Sequence, residues 1–164
     1  MLIDTHAHLD QDDFDADRGE VVARARAAGV EAMVLPAVSA ASADVAVRLA
    51  DEFDLFAAVG IHPNYTAEAE PDEWDRIVAL ADNPRVVAIG ETGLDTYRDY
   101  SPIELQQDNF ARHLQFARAK GLPIIIHCRD AEDEMSPMLR AAAEAGPIDG
   151  ILHAFSGTAD FAEE

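Results

Sequence analysis

Lysine occurs once in these 164 residues, as Lys120, and cysteine once, as Cys128. A lone cysteine excludes an intrachain disulfide, which fits a reducing interior. No apolar run approaches the ~20 residues that a membrane-spanning helix needs. No basic segment precedes Met1-Leu-Ile3 as a secretory leader would require, so a cytoplasmic protein without a membrane partner is expected. Basic charge is scarce too: 12 Lys and Arg face 32 Asp and Glu, for a formal charge of −20. So few cations argue against a surface that grips long duplex nucleic acid non-specifically. The carboxylates are spread along the chain, and segments such as 16–29 and 39–53 keep an Ala/Val/Leu stripe between them. That pattern places the excess on solvated faces and reads as a halophilic adaptation to a salty cytoplasm, where screening relieves self-repulsion.

What the chain does have is histidine in one recurring place. His6 and His8 stand in Asp4-Thr-His-Ala-His-Leu-Asp10, directly after the apolar pair Leu2-Ile3. On a strand, residues two apart share a face, so two imidazoles at this spacing can converge on one metal ion. His62, His127 and His153 each follow a short apolar run, and so does Glu91, after Val86-Val-Ala-Ile-Gly90. Only His113 falls inside a helical pattern, with Phe110, Leu114 and Ala117, where a surface or satisfied core role is expected.

Periodicity predicts strands over 2–6, 32–36, 55–61, 86–91, 123–127 and 150–153, and helices over 16–29, 39–53, 72–83, 103–120 and near 137–145. Ser39 reads as an N-cap, Gly121 as a helix stop, Pro137 as a first-turn proline and Thr158 as the cap of a further helix. Strands that alternate with helices build an α/β parallel sheet, and no linker interrupts residues 1–164, so one domain is expected. An open doubly wound sheet concentrates its site at one switch point. Here chemistry-bearing residues follow five different strands, which only a closed (β/α)8 TIM-type barrel brings to one mouth. Such a barrel has eight strands and about 250 residues; about six β/α units are readable, so the barrel is expected to be incomplete.

Five motifs, in order, carry a resemblance: Asp4-Thr-His-Ala-His-Leu-Asp10, Gly60-Ile-His-Pro63, Glu91-Thr-Gly-Leu-Asp95, His127-Cys-Arg-Asp-Ala131 and His153-Ala-Phe-Ser-Gly157. Together they resemble the signatures of the TatD-like metal-dependent deoxyribonucleases, within the amidohydrolase-type barrels. The resemblance implies two divalent metal ions (Zn2+, Mn2+ or Mg2+) at the barrel mouth. It implies His6 and His8 on one ion, His127 and His153 on the other, and Glu91 as the catalytic carboxylate bridging both. It also implies a later aspartate as ligand and proton acceptor, and the chain ends before that position. Imidazole and carboxylate suit such ions, and a paired site activates water and stabilises charge during in-line displacement at phosphorus.

Other residues carry alternatives. His62 can contact a substrate phosphate or close a turn before Pro63. Arg129 can bind phosphate or pair with a carboxylate. Asp95 and Asp130 can orient ligand histidines, and Asp130 can equally cap a helix. Cys128 faces away from its neighbour His127 and is expected to pack outside the barrel. Trp74 and Tyr97 can stack on bases, though a core or rim role is expected. The leading expectation is hydrolysis of DNA phosphodiester bonds at single strands or ends, by a metal-activated water. Alternatives are an amide, lactone or ester hydrolase, and an inactive metal-binding remnant. Unpaired strand edges would favour self-association.

Overall fold

The computed structural model describes residues 1–153, 155 and 157–163. Its elements alternate as β1 (Leu2–Asp4), α1 (Arg18–Ala27), β2 (Val30–Pro36), α2 (Ala40–Phe53), β3 (Phe56–Val59), α3 (Glu73–Leu80) and β4 (Val86–Asp95). They continue as α4 (Ile103–Lys120), β5 (Ile124–Arg129), α5 (Glu132–Glu144), β6 (Gly150–His153) and α6 (Ala159–Glu163). The six strands lie side by side in sequence order, every neighbouring pair parallel. A doubly wound sheet would reverse direction partway, and this one never does. It is the six-strand arc of a TIM-type barrel. The arc is strongly curled, because the ring of His6, just past β1, stacks on that of His153, at the end of β6, with centroids 3.5 Å apart.

Local chemistry fixes the elements. Ser39 and Ser42 form a reciprocal capping box at the start of α2, with Oγ of each accepting the backbone N–H of the other at 3.2 and 3.1 Å. The helix then buries Ala43, Ala46, Val47, Leu49 and Ala50 at helical spacing, and stops where Asp54 turns to φ 54°. In α4 the buried face is Gln106, Phe110, His113, Leu114 and Ala117, and Gly121 at φ 65° ends it. Phe110 is fully buried; trimming such a ring to Ala costs about 3–5 kcal/mol. Lys120, in the last turn of α4, pairs with Asp82 at 2.5 Å. Thr158 does cap α6, its Oγ1 accepting the Phe161 N–H.

Three expectations are corrected. β1 ends at Asp4 rather than residue 6, so His6 and His8 sit in the loop beyond it. β4 runs on to Asp95, which puts Glu91 in mid-strand. Pro137 lies inside α5, not in its first turn; the acidic stretch Glu132-Asp133-Glu134 starts the helix five residues earlier, at the end favoured by negative charge.

Candidate metal centre

Glu91 is the centre of the mouth, and the backbone around it is built to aim it. Against β5, the register of β4 slips between Ile89 and Thr92: Ile89 pairs with Ile124, but Thr92 already with Ile126. One extra residue is thus inserted in β4, a bulge of the kind that redirects a side chain. Gly90 at φ 138° and Gly93 at φ 142° flank it, and a Cβ on Gly90 would lie 2.6 Å from the Ile125 carbonyl oxygen. No other residue type fits that approach.

The Glu91 carboxylate is buried, at 2% exposure, and its two oxygens face different partners. Oε2 lies 3.2 Å from His6 Nε2 and 3.6 Å from His8 Nε2. Oε1 lies 2.8 Å from His127 Nδ1, 3.6 Å from His62 Nε2 and 3.9 Å from His153 Nε2. Burial opposes ionisation, but the bonds from His127 and His6 and the nearness of His62 outweigh it, and Glu91 is held well below the usual carboxylate range.

His6 and His8 converge although no strand carries them. The Asp4 carboxylate accepts the His6 N–H at 3.1 Å, and Ala7 donates to the Val34 carbonyl at 3.0 Å, tying the loop to β2. The two Nε2 atoms end 3.1 Å apart. With Glu91 Oε2 they place three donor atoms around one point, a set suited to a divalent transition metal. His8 Nδ1 is buried without a hydrogen bond, and so is Asp10 Oδ1, 3.8 Å from it. Burial raises the Asp10 pKa. Asp10 thus stands beside His8 Nδ1 without bonding it, a neighbour that sequence reading did not single out although it lies two residues beyond His8.

On the Oε1 side, tautomers separate the histidines. Asp95, buried at the end of β4, faces His127 Nε2 at 3.1 Å and also receives bonds from Asn64 Nδ2 and the Arg98 N–H. His127 faces a carboxylate from each ring nitrogen, Asp95 from Nε2 and Glu91 from Nδ1, so with Asp95 holding Nε2–H it is Nδ1 that would turn to a metal ion. Burial disfavours charge on His127, yet Glu91 and Asp95 prevail and its pKa is raised. His62 also lies within ligand distance of Glu91 and His127. Its Nδ1 accepts the Asn64 N–H at 3.1 Å, however, so its neutral ring carries the proton on Nε2 and offers the mouth a donor, not a lone pair. Burial pushes its pKa down to about 4 despite the opposing pull of Glu91, so this neutral form is the one present near pH 7. Both turn closure and a mouth-facing N–H therefore belong to His62. His153 is half-buried, its pKa lowered chiefly by burial, and its ring contact is with His6. The adjoining residues Ala154 and Ser156 of its motif lie outside the described residues.

The remaining expectations sort as follows. Cys128 is buried in the hydrophobic core, and burial, then Glu132, raises its thiol pKa to about 11. Asp130 caps nothing: the N-cap of α5 is Ala131, and Asp130 turns the chain at φ 52°. Arg129 is exposed and lies 4.0 Å from the centroid of Tyr97, with no ion pair among the described residues. Trp74 packs on His113 and Phe116. His113 is fully buried, accepting the Ile61 N–H on Nε2 at 3.1 Å and donating from Nδ1 to the Asn109 carbonyl at 2.8 Å. Asn109 Nδ2 in turn donates to the Ile61 carbonyl at 2.9 Å, so α4 clamps both polar groups of the residue before His62.

A curled parallel sheet that gathers histidines from several strand ends around one buried carboxylate is the arrangement of the metal-dependent hydrolase barrels. Comparison with known proteins narrows this. Residues 3–164 match the profile of TatD related DNases, and the chain belongs to that family. It is 39% identical over 166 residues to the uncharacterized metal-dependent hydrolase YabD of Bacillus subtilis, covering 100% of this chain and 64% of the relative. It is 37% identical over 158 residues to the 3'-5' ssDNA/RNA exonuclease TatD of Salmonella typhimurium, covering 96% of this chain and 60% of the relative. The structure superposes on the crystal structure of YJJV, a TatD homolog from Escherichia coli, with a TM-score of 0.90 and 32% identity, over 99% of this chain and 63% of that one. The chain thus spans 60–64% of the length of these relatives.

Proposed function

We propose that residues 1–164 form one metal-dependent hydrolase domain that cleaves phosphodiester bonds of DNA, at single strands or ends. The observation that carries this reading is the division of Glu91: one oxygen turned to His6 and His8, the other to His127 at 2.8 Å, with His62 at 3.6 Å and His153 at 3.9 Å. That division suits two divalent ions (Zn2+, Mn2+ or Mg2+), which His6, His8, Glu91, His127 and His153 would hold. When bound, such ions would supply an activated water and would neutralise charge on the phosphoryl oxygens. The protein's own groups set the stage. Glu91 remains ionised in a buried site, Asp95 directs the Nδ1 lone pair of His127 inward, and the Nε2–H of His62 donates to a phosphoryl oxygen. Arg129 stands beyond them at the rim as a second anchor for phosphate. The names borne by the Salmonella and Bacillus relatives, an exonuclease and a metal-dependent hydrolase, support the choice of chemistry. The acidic, lysine-poor surface suits work in a salty cytoplasm. Among the described residues β1 and β6 are each paired on one side and expose Leu2, Ile3 and Ile151, which favours association between copies.

The test is metal-dependent release of nitrophenol from thymidine 5'-(p-nitrophenyl) phosphate, with metal content measured alongside. Glu91→Gln is expected to lower turnover by ~10²–10⁴-fold and to reduce bound metal. Turnover of amide or lactone panels with none of the phosphodiester would overturn the substrate assignment.

A further inference from the structure

In a chain of net charge −20, cations left over from ion pairing stand out. Among the described residues, Arg18, Arg24, Arg76, Arg85 and Lys120 are tied to carboxylates, Arg26 and Arg118 bond backbone carbonyls, and Arg112 lies over the Trp74 ring away from the mouth's rim. Arg98 and Arg129 are exposed, make no ion pair among the described residues, and lie instead against rings at the rim of the mouth. The Tyr97 ring has the Arg129 guanidinium 4.0 Å from its centroid and that of Arg98 at 5.1 Å. Arg98 also reaches the Tyr100 ring at 5.8 Å. Tyr97 and Tyr100 are 55% and 59% exposed, large rings turned to water.

The loop carrying this cluster is held at both ends. The buried Gln106 accepts the Asp95 N–H at 2.8 Å and donates to the carbonyls of Asp95 and Ser101 at 3.1 and 2.8 Å. The Thr96 N–H donates to the Arg129 carbonyl at 3.0 Å, fastening the loop to the end of β5. The cluster also continues directly from the metal centre. The Arg98 N–H bonds Asp95, which bonds His127, and Arg129 shares with His127 one face of β5, two residues on. Rings and cations held on a fixed loop beside a phosphodiester-cleaving centre match the two needs of single-strand binding, stacking for bases and charge for phosphates.

We infer that Tyr97, Arg98, Tyr100 and Arg129 form a shelf that binds the single-stranded nucleic acid flanking the scissile bond. This rests on the phosphodiesterase reading for its choice of occupant. Tyr97 holds the two guanidinium groups near it for backbone phosphates, and Tyr100 offers its ring to a base. The shelf gives an acidic protein a local grip that its surface as a whole denies.

The experiment is fluorescence anisotropy of a 5'-labelled short oligothymidylate with the full chain in chelator, where binding is read without cleavage. Tyr100→Leu is expected to weaken binding by about tenfold, and Tyr100→Phe to restore it. Loss of both Arg98 and Arg129 to Ala is expected to lessen the slope of log Kd against log salt by roughly 1.4, at ~0.7 for each phosphate contact on a single strand. Arg48→Ala, which removes an exposed cation from α2, leaves the slope unchanged. Coincident circular-dichroism melts establish that the variants are folded. Equal affinity and slope for wild type and shelf variants overturn the inference, as does absence of any binding. Nitrophenol release, measured separately, reports on the phosphodiesterase reading: turnover with shelf-independent binding sinks only the shelf. Shelf-dependent binding without turnover sinks only the hydrolase.

Discussion

β4 and the outer strands β1 and β6 furnish the mouth from opposite settings. Every residue of β4 except Val87 is buried, and Glu91 and Asp95 are locked between β3 and β5. β1 is exposed throughout and β6 exposes Gly150 and Ile151, yet the loop after β1 supplies His6 and His8, and β6 ends in His153. The carboxylates are thus fixed by the core, whereas those three imidazoles are carried by the least buried parts of the sheet. What joins the two regions is the mouth itself, through the His6–His153 stack and the contacts to Glu91. A ligand that binds both sets would restrain the edges far more than the centre.

The largest effect expected from breaking this arrangement at its rigid side is at Asp95. Asp95→Asn removes the acceptor that sets the His127 tautomer, and metal affinity measured by isothermal titration should fall by ~10–100-fold. The comparison is sharpened by hydrogen exchange with and without zinc. Chelation should speed exchange of the β1 and β6 amides by about tenfold while leaving those of β3 to β5 within about twofold, since local opening follows local stability. A uniform change across the sheet would break the distinction.

A smaller effect concerns pH. Native His113 protonates only near pH 4, against 6.5 for the free side chain, because burial disfavours its charge. Between those values the unfolded chain binds the extra proton, so the His113 contribution is complete above pH 6.5 and is lost as pH falls toward 4. His127, with its raised pKa, acts in the opposite sense. The readout is therefore the difference between wild type and His113→Gln in urea melts, where the variant should show a shallower loss over that window. The smallest effect is that of Ser39→Ala, which removes one half of the capping box at the edge of the buried α2 face and should cost about 1 kcal/mol in the same melts.

Much of this was legible in sequence, for reasons that differ by residue. Glycine and serine at helix ends declared α2 and α4 because capping chemistry is local: Ser39 and Gly121 act within one turn of themselves. His127 and His153 were visible together because an α/β barrel sends the ends of its strands to one place, whereas Glu91 lies in mid-strand and reaches the mouth from there. The bulge at Gly90-Glu91 was not visible, since it exists only as a slip against β5, and sequence reading accordingly ended β4 too early. The convergence of His6 and His8 was foreseen for a different reason from the one that produces it: the bond of Ala7 to Val34, not strand geometry, aligns them. The distinction between His62 and His127 depends on which ring nitrogen meets Asn64 or Asp95, contacts that arise only on folding.

The pairing of Lys120 with Asp82 has a practical corollary. Helices in this architecture run opposite to the strands, so the last turn of α4 lies where the strands begin, on the far side from the mouth. The Met1 amine, just ahead of β1, lies on that same far side, so with only one side-chain amine in 164 residues, coupling to an activated resin or a fluorescent ester through either amine would tether the molecule with its opening turned outward. Supports coated this way should display every attached copy in one working orientation.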